Sequence, residues 1–262
     1  MVASGGALET PALLLRSGLS GQVGHNLHLH PGTAAWGIFE NEVHLWEGTL
    51  QARYSNELRH WDGGWGPILE TVPVHRGAWS MAMSWRSAAH HRALMNQYSH
   101  VGMCAVLSRD ASSGRIKIGR DGRPRIDYRV GADDERRIAN GVAQAARVME
   151  AAGARKVYSL HKSTPSYVPG LNGAYENWVE TTTRLGYRGG AATLASYHQM
   201  GSSRMGIDPS ASAVDQDNES HEVGGLFVAD ASAFPTASGV NPMLTVYGIA
   251  HRAAGKIVRR LE

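Results

Sequence analysis

His198 stands just ahead of a glycine-broken loop, Gly201-Ser202-Ser203-Arg204-Met205-Gly206, and Asn241-Pro242 opens the last apolar-periodic stretch of the chain. A histidine at a strand-to-loop boundary is suited to proton transfer, because its ordinary pKa lies near neutrality. Asn is a favoured N-cap and Pro a favoured first helical residue, so the pair predicts a helix start near Asn241. Leu244, Val246, Ile249, Ala250, Ala253, Ile257 and Val258 then fall on roughly one side of it. The free backbone N–H groups at such a start favour an anion or an electron-rich oxygen. Between the two, Leu226 to Ala229 reads as a short buried strand that ends in Asp230-Ala231-Ser232, where a ligand edge would lie. Singly, a loop histidine is an ordinary polar residue and an Asn-Pro pair an ordinary cap; in this order and together they point to one reaction centre.

These stretches resemble the C-terminal signature of the glucose-methanol-choline (GMC) flavoprotein oxidoreductases, and within that family most the long-chain alcohol oxidases. The resemblance rests on His198-Gln199-Met200-Gly201-Ser202-Ser203-Arg204-Met205-Gly206, on Leu226 through Ser238, and on Asn241-Pro242-Met243-Leu244-Thr245. It implies a bound FAD whose isoalloxazine lies between His198 and Asn241. It also implies oxidation of an alcohol to a carbonyl, with the carbon-bound hydrogen leaving as hydride to flavin N5. Carried over residue by residue, His198 takes the hydroxyl proton and Asn241 hydrogen-bonds the substrate oxygen. The helix start at Pro242-Met243 faces the flavin's pyrimidine edge, and Asp230 and Ala231 lie along the ribityl-pyrophosphate side. The substrate is expected to be a small-molecule alcohol, long-chain or otherwise apolar.

The N-terminus carries a second part of the same resemblance, Gly6 through Leu19, with Ser20 where a glycine is usual, followed by Gly24-His25-Asn26-Leu27-His28-Leu29-His30-Pro31. Thr10 and Pro11 read as a helix start and Gly18 as its stop. His30 is expected to pack near the flavin domain. No G-x-G-x-x-G occurs in the 262 residues. The pocket for the ADP half of FAD, which such a turn supplies, is therefore expected in a missing N-terminal half. The alternative is a non-catalytic fragment, or a remnant that binds hydrophobic ligands without chemistry.

Between these ends the pattern itself is the guide. Six of the seven tryptophans (Trp36, Trp46, Trp61, Trp65, Trp79, Trp85) fall in one region and read first as packing, second as the lining of an apolar cavity. Arg115 to Ile118 and Arg125 to Val130 alternate around an Asp121-Gly122 turn, as an antiparallel pair does. An acidic start at Asp133-Asp134-Glu135 and Ile138, Val142, Ala145, Ala146 and Met149 at helical spacing predict a helix that covers this sheet and ends at Gly153. Residues 163–190 read as an irregular lid or connection. The expected fold is α+β: a partial FAD-binding α/β domain formed by the two chain ends, and a substrate domain on an antiparallel sheet with covering helices. The boundaries are 1–35, 36–195 and 196–262, the last being the catalytic and FAD-binding segment.

Composition narrows the classes further. At 42% hydrophobic and 19% charged residues, the chain can bury a sizeable core. The net charge of +3 is dispersed rather than clustered with aromatics, which argues against a nucleic-acid partner. The single cysteine, Cys104, allows no internal disulfide and makes a cytoplasmic setting the default. No window reaches the apolar run of a transmembrane span, while peripheral membrane contact stays open for a protein whose substrate could come from lipid. Among 13 histidines, His28/His30 and His90/His91 lack a third ligand at zinc spacing, so no metal is expected. Tyr158 and Lys162 share the spacing of a nicotinamide-dehydrogenase dyad without the nucleotide turn to support it, and Asn218-Glu219-Ser220 is a glycosylation sequon that has meaning only with secretion.

Overall fold

The computed structural model describes residues 1–261. In chain order these are β1 (Val2–Ala3), α1 (Gly6–Arg16), β2 (Gly32–Ile38), β3 (Tyr54–Ser55), the short turn α2 (Trp61–Gly64), β4 (Ile68–Thr71), α3 (Arg76–Ala82) and α4 (Ala88–Met95). There follow β5 (Val101–Leu107), β6 (Arg115–Ile118), β7 (Pro124–Asp127), α5 (Ala132–Ala151), β8 (Lys156–Ser159), β9 (Ser166–Tyr167), α6 (Ala174–Leu185), β10 (Phe227–Val228) and α7 (Met243–Leu261). The described residues form two compact units. Met1–His30, Asp110–Arg129 and Ser196–Glu262 make the first, Pro31–Arg109 and Val130–Ala195 the second.

The second unit is an antiparallel six-stranded sheet in the order β3-β4-β5-β2-β8-β9. Helix α5 lies on β2 and β5 and buries Ile138, Val142, Ala145, Ala146 and Met149, the five residues its periodicity singled out. Gly141 lets it approach closely, because a Cβ there would sit 2.4 Å from Val106 Cγ1. The other face holds Trp36, Trp79 and Tyr158 in one cluster, with Trp36 stacked on Tyr158 at 4.1 Å and edge-on to Trp79. These two tryptophans are core, and Tyr158 is spent in packing rather than in a dyad with Lys162. Residues 163–190 are more regular than the loop-like composition predicts. Trp178 and Thr182, four residues apart, are buried on one face of α6, and Trp178 Nε1–H donates to the Pro165 carbonyl.

The first unit joins both chain ends: β1 pairs parallel with β10, Val2 opposite Phe227 and Ala3 opposite Val228. Ala3, Leu14, Leu19, Val23, Val214, Leu226 and Val228 form its core. The β6–β7 pair predicted around Asp121-Gly122 is present, with Ile116 opposite Ile126, but it belongs to this unit, whereas the helix expected to cover it, α5, belongs to the second unit and packs on the sheet there. Ile116 packs instead with Ala12 and Leu27, and Gly114 and Ile116 bond the loop at Leu27 and Gly24.

One helix boundary differs from the sequence expectation, for a reason that lies far away in the chain. Helix α1 starts at Gly6, so Pro11 falls inside it. Asp230 Oδ2 accepts from the Gly6 N–H and from Thr10 Oγ1, which organises that earlier start. Pro11 has no N–H for the Ala7 carbonyl, and the buried Ser202 hydroxyl donates to that carbonyl instead, at 2.5 Å. Helix α7 runs from Met243, directly after the expected Asn241-Pro242 opening, with the Val246 N–H bonded to the Pro242 carbonyl. Its buried face runs through Ile249 and Ala253, while Leu244 and Val258, five residues to either side, turn outward.

Candidate active site

Three backbone arrangements bring the predicted chemistry together, all within the first unit. The first is a two-bond bridge: the His28 N–H donates to the Met200 carbonyl at 2.8 Å, and the Met200 N–H to the His28 carbonyl at 3.0 Å. The second is a ladder in which Gly201, Ser203 and Met205 donate their N–H groups to the carbonyls of Ala231, Ser232 and Ala233. Gly201 is required there, since its φ of +81° is left-handed and a Cβ would meet the Asn26 carbonyl oxygen at 2.7 Å. The third is the fully buried carboxylate of Asp110, which accepts from the Leu29 N–H (2.9 Å), the His30 N–H (3.2 Å) and the Tyr128 hydroxyl (2.9 Å), with His28 Nδ1 3.6 Å away. Burial alone would raise this carboxyl, but His28 and these donors hold it below the usual range.

The product of the three is a pair of imidazoles. His30 Nδ1 and His198 Nδ1 are 2.9 Å apart, with the rings stacked at 5.0 Å. His30 is fully buried, and its backbone has φ of 49°, a conformation that few side chains adopt. Burial first, and the neighbouring His198 charge second, lower the His30 pKa to about 4 against the opposing pull of Asp110. His198 is half-buried, and desolvation lowers its pKa. A neutral imidazole with a lone pair is a base, so the site can accept a proton at neutral pH. His30 Nε2 and the hydroxyls of Ser203 and Ser232 are buried and have no hydrogen-bond partner among the described residues.

The other predicted site residues are placed as follows. Asp230 is buried, and beyond Gly6 and Thr10 its Oδ1 accepts from the Ser232 N–H at 2.7 Å, so its carboxylate staples α1 to the turn that follows β10. The Ala231 carbonyl accepts from Gly201. Asn241 and Met243 are exposed and Pro242 is buried. Their segment meets the stretch that carries His198 where the Ser238 N–H contacts Met200 Sδ at 3.3 Å. The residues beyond those proposed from sequence are Asp110 and His30. His30 was visible in the His28-Leu29-His30-Pro31 run, whereas Asp110 had no local signal, since its partners lie far from it in the chain. Asn218 of the sequon is buried and donates from Nδ2 to the Val228 carbonyl.

Comparison with known proteins places this geometry in a class. Residues 110–250 match the C-terminal GMC oxidoreductase model and residues 1–32 the N-terminal one. Long-chain-alcohol oxidase FAO4A of Arabidopsis thaliana is 36% identical over 258 residues, covering 94% of this chain and 35% of the relative. Long-chain-alcohol oxidase FAO3 of the same plant is 34% identical, covering 99% of this chain and 36% of the relative. The pyridoxine 4-oxidase structure from Mesorbium loti superposes with a TM-score of 0.65 at 19% identity, over 97% of this chain and 50% of that one. A formate oxidase structure gives 0.63 at 15% identity, over 98% and 53%. The chain belongs to the GMC oxidoreductase family, whose members are FAD-dependent. It spans about a third of the length of the long-chain-alcohol oxidases it matches.

Proposed function

We propose that this chain carries the proton-transfer end of a FAD-dependent alcohol oxidase or dehydrogenase acting on a long-chain or otherwise apolar alcohol, with His198 as the base. The observation that carries the reading is His198 itself: a half-buried imidazole, kept neutral by desolvation and held at Nδ1 by a second ring, with no hydrogen bond to its Nε2 among the described residues. The long-chain-alcohol oxidase relatives supply the substrate class. Asn241, whose exposed position precedes a helix start, donates its amide to the substrate oxygen, and the N–H groups of α7 favour negative charge nearby.

The residues present fit the cofactor. Among the described residues Ser203 and Ser232 offer buried hydroxyls without partners, and the first turn of α7, where backbone N–H groups lie outside the helix's own ladder, stands beside exposed Met243, Leu244 and Tyr247. Donors beside apolar surface suit a group that is both oxygen-rich and planar. Asn241, Pro242 and Met243 would hold its ring end, and Asp230 and Ala231 would shape the turn beneath its ribityl side. FAD supplies the two-electron acceptor for the hydride that leaves the alcohol carbon, and His198 Nε2 receives the hydroxyl proton. Leu244 and Tyr247, 76% and 61% exposed, are surface for a nucleotide-binding half to cover, provided by a longer chain or a second polypeptide. A cytoplasmic setting with peripheral lipid contact belongs to the same proposal, and the chain's single cysteine, Cys104, is a free, buried thiol compatible with it. Among the described residues no helix is long and apolar enough to cross a membrane.

The test is anaerobic mixing of the flavin-loaded protein with a long-chain primary alcohol. Loss of the oxidised flavin absorbance is expected, faster than with a short alcohol. A flavin that stays oxidised with every primary and secondary alcohol tried would overturn the proposal.

A further inference from the structure

Resting on the reading of His198 as the base, we propose that His30 is a positioning residue. Its Nδ1 accepts a hydrogen bond from the His198 Nδ1–H, and this selects the tautomer in which the His198 Nε2 lone pair can take a proton.

Two Nδ1 atoms 2.9 Å apart share a single proton. Were His30 the donor, neutral His198 would hold its own proton at Nε2 and could accept none there. A base at Nε2 and an acceptor at His30 are thus one arrangement. His30 is suited to the role because its ring is buried beside another histidine, so that charging it as well is opposed by desolvation and by repulsion. When His198 gains its proton, the imidazolium directs Nδ1–H at a neutral lone pair, a charge-assisted bond stronger than the one before protonation.

Both backbones are fixed for this contact. Asp110 accepts the N–H groups of Leu29 and His30 and holds the left-handed conformation at His30. The His28–Met200 bridge sets the register between the two stretches. Ser196 Oγ donates to the Leu29 carbonyl, and Gln199 Nε2 to the Ser196 carbonyl. Either tautomer leaves His30 Nε2 without a partner among the described residues, so burial of that atom does not choose between them. The proton affinity required of His198 does.

The experiment is a long-range ring proton–nitrogen correlation spectrum of the ¹⁵N-histidine-labelled chain at pH 7, with His198 assigned by its loss in His198→Ala. His198 should be protonated at Nδ1. His30→Leu should lose that form. His30→Asn should keep it, because its amide oxygen can stand where Nδ1 stood and Asn tolerates a positive φ. In the flavin-loaded enzyme, His30→Leu should lower kcat on the order of 10²-fold with KM little changed, and His30→Asn should stay within about tenfold of the parent. His198 protonated at Nε2 in the unsubstituted chain, or an unchanged tautomer in His30→Leu, would overturn the inference. If His30→Leu does not fold, the parent and His30→Asn spectra decide. The base reading fails separately, by undiminished alcohol-driven flavin reduction in His198→Ala.

Discussion

At the scale of single residues, the site is held by groups whose partners are remote in sequence, and each makes a measurable claim. His30 has a folded pKa of about 4 against an ordinary 6.5. Between those values the unfolded chain binds more protons than the folded one, so stability is complete above pH 6.5 and falls as pH is lowered toward 4, by about 3 kcal/mol for this group. His161 and His198, both lowered chiefly by burial, act with the same sign. Denaturant midpoints at pH 7 and pH 4.5 should therefore differ clearly, and His30→Asn should narrow the gap; equal gaps in the two proteins would refute the assignment. Ser202 makes a second claim, because its hydroxyl satisfies the Ala7 carbonyl that Pro11 leaves unbonded. Ser202→Ala buries that carbonyl unpaired and should cost about 1–3 kcal/mol of unfolding free energy, whereas an exposed serine such as Ser113 could be changed nearly without effect.

At the scale of elements, what could be read in advance depended on whether an element's own residues determine it. Helix α5 was legible to the residue because its periodic apolar face meets one flat sheet. Its closest approach is at Gly141, where the usual gain from Gly→Ala in a helix is reversed. A Cβ would press on Val106 and Pro67, and Gly141→Ala should destabilise by about 1–3 kcal/mol, read as a lower melting temperature; an increase would show that the helix can lift without loss. The start of α1 was not legible, since Asp230 sets it from the other end of the chain. The exposed side of α7 was misread because a stripe drawn through every apolar residue is wider than the face that packs; Ile249 and Ala253 go in, while Leu244 and Val258 stay out. The β6–β7 hairpin shows the same limit: its pairing follows from alternation and a turn, but its attachment to Leu27 and Ala12 does not. In the site, His198 and the Asn241 helix were visible as motifs, whereas the His30 contact depends on strand register, which no local pattern fixes.

At the scale of the whole molecule, the chain belongs to the GMC oxidoreductase family and spans about a third of the length of its long-chain-alcohol oxidase relatives. The parallel pairing of β1 with β10 and the His28–Met200 bridge bring stretches from opposite ends of the sequence side by side, as the proposed centre requires. The most direct measurement is the rate at which a long-chain alcohol reduces the flavin in rapid mixing, compared between the complete enzyme and its His198→Ala variant. Loss of the general base should slow reduction by about 10²–10⁴-fold with flavin content unchanged. Reduction at the parental rate in a fully loaded His198→Ala enzyme would contradict the account.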